Sequence, residues 1–135
     1  MLVEFTWLAI LLLIPLVYIM ISVFEVQRGA FAVTAAARSA GRAYAIAPTM
    51  EAGQARAGAA IRVALRDQGL PPEDYTLRVD CAPDPSACLA PGSTISVTVT
   101  SQVALPLVPS VLGGGTPTFR VEATHAAPRG RYRSN

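Results

Sequence analysis

MLVEFTWLAILLLIPLVYIMISVF, residues 1–24, carries one charged side chain, Glu4, and none from Phe5 to Phe24. At about 1.5 Å of rise per residue, a helix of about 20 such residues crosses the roughly 30 Å hydrocarbon core of a bilayer. The stretch therefore reads as a membrane span, with Glu4 at its outer lip. Pro15 lies inside it, removes a backbone donor and frees the carbonyl of Leu11, so a local kink or a re-satisfied turn is expected. A cleaved secretory signal fits less well. Such signals begin with basic residues and have an apolar core of roughly 7–15 residues, whereas this start has no base and a longer run.

The helical pattern outlasts the apolar run. Val26, Ala30, Val33, Ala37, Ala40, Tyr44 and Ala47 recur at alternating spacings of four and three, a seam of mostly small residues, while Gln27, Arg28, Arg38 and Arg42 fall elsewhere. One helix of about 44 residues is expected, half in lipid and half outside, ended by Pro48. Thr49 suits the N-cap of a second helix over 50–68, stopped by Gly69 and the pair Pro71-Pro72. Its stripe of Ala57, Ala60, Ile61, Ala64 and Leu65 is too rich in alanine to bury much surface alone. It needs the first helix or a sheet to pack on.

The apolar period then becomes two. Leu77, Val79 and Cys81 alternate with polar residues in YTLRVDC, as do Ile95, Val97 and Val99 in STISVTVTSQV, and Phe119, Val121 and Ala123 in TFRVEATH. Three half-buried strands make an antiparallel sheet with one wet face. The connection LPLVPSVLGGGTP (105–117) reads as a long loop, and PRGRYRSN (128–135) as a basic flexible tail. The fold class expected is α+β: a long N-terminal transmembrane and extended helix, a second helix and a small three-stranded antiparallel sheet. Residues 1–24 form the span, 25–127 one domain and 128–135 the tail.

The chain has 135 residues, is 52% apolar and carries a net charge of +2, so charge makes no case for nucleic acid as a partner. Cys81 and Cys88 in DCAPDPSAC enclose six residues rich in proline and small side chains. That spacing suits a loop-closing disulfide better than a metal site or a redox pair, and a disulfide points to an oxidising compartment. Arg28, Arg38 and Arg42 follow the span, and the positive-inside rule alone would put that side in the cytoplasm. An upstream arginine-bearing leader would remove the conflict.

No catalytic, cofactor or metal constellation is present in the sequence: His125 is its only histidine, and no zinc-protease, nucleophile-elbow or phosphate-loop pattern occurs. Glu4 has two readings. A boundary carboxylate is costly if unpaired in lipid, which favours a partner such as a free N-terminal amine on a neighbouring subunit; otherwise it reaches headgroups and water. The tail arginines Arg129, Arg131 and Arg133 around Tyr132 suit either a phosphate or anionic-polymer contact or a solubilising end.

LVEF, the span with Pro15 and the stretch FAVTAAARSAGRAYA, with CLAPGSTISVTVT, LPLVPSVLGG and FRVEATH further on, resemble TadE/TadG-like minor pilins (pseudopilins) of tight-adherence (Tad) type IV pili, in their actinobacterial pilus assembly form. The resemblance implies a pilin-like fold and a precursor cut after a glycine by a prepilin peptidase, leaving a glutamate at the fifth mature position. Glu4 matches in kind but stands fourth, and neither basic leader nor glycine precedes it. A mature form one residue longer, or an earlier start, reconciles the two. The resemblance further implies a non-enzymatic structural or assembly subunit, single-pass in the cytoplasmic membrane with its C-terminal domain outside. Its partners are then lipid, other pilin subunits meeting the seam, and the assembly platform. The alternative is a single-pass anchored binding module for a cell-wall or secretion partner.

Overall fold

The computed structural model describes residues 1–105 and 118–130. All but the first residue of the connection read as a long loop, and residues 131–135 of the tail, lie outside the described residues. Helix α1 runs unbroken over Leu2–Ala45, 44 residues, and continues through Pro15. At about 1.5 Å per residue it is roughly 66 Å long. Glu4 lies in its first turn and Arg42 in its last, each placed to favour the helix dipole.

Helix α2 spans Met50–Asp67, and Thr49 caps it as expected, its hydroxyl oxygen accepting from the Ala52 N–H at 3.1 Å. The Gly69 and Leu70 N–H groups return to the Arg66 and Leu65 carbonyls at 3.0 and 2.9 Å, satisfying two end carbonyls that α2 cannot pair internally. Gly53, Ala57, Gly58, Ile61 and Leu65 are buried.

Strands β1 (Tyr75–Ala82), β2 (Thr94–Ala104) and β3 (Thr118–Pro128) form an antiparallel sheet in the order β1-β2-β3. Val97 lies opposite both Val79 and His125, and Ile95 opposite both Cys81 and Ala127. Ile95, Val97, Val99, Val103 and Val121 fill the inner face with Ser101, whose hydroxyl donates to the Asp74 carbonyl at 2.7 Å. The outer face is polar: Thr98 and Thr124 hydroxyls meet at 3.0 Å, and Thr100 donates to Glu122 at 3.1 Å. Because strand side chains alternate, each strand supplies one face to the core and one to solvent.

The C-terminal half of α1 packs against α2, β2 and β3. Its buried residues are Gly29, Ala32, Val33, Ala36, Ala37, Ala40, Gly41 and Tyr44, so the core begins five residues past Phe24. Small side chains let two layers approach α1 at once, one from α2 and one from the sheet. β3 extends to Pro128, which draws the first residue of the expected tail into the sheet.

Candidate functional site

The N-terminal half of α1, its inner half in the sense of lying away from the domain, is bare. Its most apolar 18-residue window has a mean hydropathy of 2.6 and is nowhere buried, so the helix is long and apolar enough to cross a membrane. Phe5, Trp7 and Phe24 are 72, 68 and 65% exposed. A helix apolar on all sides has no stable place in water and needs lipid or other helices around it. Glu4 shares a shallow groove with Val3, Trp7, Leu8 and Leu11 and has no ion-pair partner among the described residues. Just beyond the apolar run, Glu25 and Arg28 pair across one helical turn.

The expected seam is occupied from within the chain. Val33, Ala37, Ala40 and Tyr44 are buried, Val26 is half-buried and Ala30 is exposed. The buried surface is wider than an alternating seam, adding Gly29, Ala32, Ala36 and Gly41, because two layers cover it instead of one helix. The buried part of this seam therefore packs against α2 and the sheet of its own chain. The face left open on this half of α1 carries Ala30, Phe31, Thr34, Ala35 and Arg38. Burial of Tyr44 pushes its hydroxyl above the usual tyrosine range.

Cys81 and Cys88 form the expected disulfide, their Cα atoms 5.2 Å apart. Within the loop it closes, the Ser86 hydroxyl and backbone N–H both donate to Asp84, at 2.7 and 2.9 Å, and hold that carboxyl below the usual range. No cluster of three or more metal-ligating side chains occurs among the described residues.

One feature is not legible in any single segment. A groove of about 670 Å³ lies where the C-terminal end of α1 meets the end of β3, lined by Arg38, Arg42, His125 and Arg129 with the apolar Ile46 and Pro128. A Cβ on Gly41 would come within 3.2 Å of His125 Cδ2, so helix and strand touch here. Arg129 is fixed by its backbone, its N–H donating to the Ser93 carbonyl at 2.8 Å and its carbonyl accepting from Gly92 at 3.3 Å. The Ser93 hydroxyl in turn donates to the Cys88 carbonyl at 2.6 Å, tying the disulfide loop to the groove. No carboxylate lines it, and Arg129 Nη1 is buried without a partner among the described residues. The i, i+4 spacing of Arg38 and Arg42 puts them on one helix face, but their meeting with β3 depends on register and packing and is written in no local pattern. The chain matches no protein-family model, no curated protein and no solved structure.

Proposed function

We propose that this protein is a membrane-anchored structural or assembly subunit, a TadE/TadG-like minor pilin of a Tad-type type IV pilus, held in the cytoplasmic membrane with its C-terminal domain outside. The observation that carries the reading is α1: a single helix whose inner half is apolar and bare and whose outer half is the spine of an α+β domain. Such a rod transmits position rigidly between lipid and domain. The disulfide supports placement of the domain in an oxidising compartment. Lateral contacts with other subunits then fall on the bare inner half and on the open face bearing Ala30, Phe31 and Ala35. Small residues on that open face permit close helix approach. The role requires no catalysis or cofactor.

Glu4 is the residue this reading uses most directly, as partner of a neighbouring subunit's N-terminal amine. Glu4→Ala is expected to insert normally but to lose co-purification with a major pilin, and piliation with it. Unchanged co-purification and piliation would remove the role. The groove of Arg38, Arg42, His125 and Arg129 favours one second reading, an anchored envelope binding module. Sequencing the mature N-terminus separates the two, since processing after a glycine belongs to the pilin.

A further inference from the structure

We propose that the groove between α1 and the end of β3 is an anion site for a soluble phosphate or phosphodiester group, held by Arg38, Arg42 and Arg129 with His125 at its wall. Arg38 and Arg42 stand one turn apart on α1, and like charges at that spacing repel. Packing adds Arg129 to the same groove, and among the described residues no Asp or Glu lines it to offset the three guanidinium groups. The charge arises from two separate places in the chain, α1 and the residue after β3, and the disulfide loop fixes the second through Ser93. Arg129, which lines the groove, has its Nη1 buried and unpartnered among the described residues, so nothing there neutralises its charge.

Stoichiometry of donors selects the ligand class. One guanidinium fork already satisfies the two oxygens of a carboxylate, whereas a phosphate offers more acceptors and up to two charges to three arginines. Position selects the source. With residues 5–24 as the span, Arg38 lies 14 residues beyond Phe24, about 21 Å farther out along an upright helix. The headgroup layer is only about 5–8 Å deep on each side of the hydrocarbon, and charge is screened over about 8 Å at physiological salt. The bilayer's own phosphates are out of reach.

The test uses the full chain in neutral detergent, with NMR of the arginine Nε–H and His125 signals, at constant ionic strength. Inorganic phosphate should shift the groove signals saturably; chloride and acetate should not. Arg38→Gln and Arg42→Gln remove exposed side chains and should each weaken phosphate binding at least tenfold with strand amide signals unchanged, while Arg62→Gln on α2 leaves it intact. A linear response, equal binding of acetate, or undiminished binding by both groove variants would overturn the site. In nanodiscs, replacing phosphatidylcholine by phosphatidylglycerol should leave the groove signals in place; a saturable shift there would assign the site to lipid and overturn the soluble source.

Discussion

A Cβ placed on Gly29 would collide with Val103 Cγ2 and come within 3.6 Å of Val121 Cγ2. Both neighbours are valines on the buried face of the sheet, and a β-branched side chain has little χ1 freedom with which to retreat. Relief therefore requires α1 to move off β2 and β3 together. Gly29→Ala is expected to destabilise the domain by about 1–3 kcal/mol, the usual cost of overpacking. Ala30, one residue on, is exposed, and Ala30→Ser should stay within about 0.5 kcal/mol of the parent. Urea unfolding of the two variants checks this contrast. A larger loss from Ala30→Ser would mean that the alternating seam, and not the broader buried face, carries the packing.

Elements were legible where one local rule dominates. Thr49 before the alanine stripe marked the start of α2, alternation marked all three strands, and the apolar run followed by small residues marked the length of α1. The side of α1 that becomes buried was not legible to the same degree. A seam assumes one partner helix, whereas α2 and the sheet press on α1 from different directions and enlist Gly29, Ala32, Ala36 and Gly41. The arginine groove was hidden for a related reason, since the pairing of Ile95 with Ala127 sets where β3 ends against α1. The loop between β1 and β2 is governed by a third local rule, closure by Cys81 and Cys88 across a sequence separation of 7. Loop-closure entropy for a ring of this size predicts roughly 2–3 kcal/mol of stabilisation. Cys81→Ser/Cys88→Ser should lower stability by about that amount without unfolding the sheet, read as a shift of the urea midpoint with its slope preserved. Reductant should give the same shift in the parent and none in the double variant.

At the scale of the whole molecule, α1 belongs to two environments that share a backbone but almost no contacts. None of its most apolar window is buried in the protein, and its fully buried residues begin only at Gly29. The apolar half of α1 thus adds nothing to the core of the domain. Tyr44, Ile61, Leu65, Ile95, Val97 and Val99 are all 1% exposed or less and all lie beyond residue 24. A domain of about 110 residues buries enough surface to fold alone. Residues 25–135, produced without the span under oxidising conditions, should therefore be soluble without detergent and unfold in urea as one cooperative step. The full chain should require detergent yet show the same midpoint to within the error of the extrapolation. Co-operation between the halves would appear as a lower midpoint or a broadened transition in the fragment. In that event α1 would be a structural brace reaching back into the membrane, and lipid would belong to the folding unit itself.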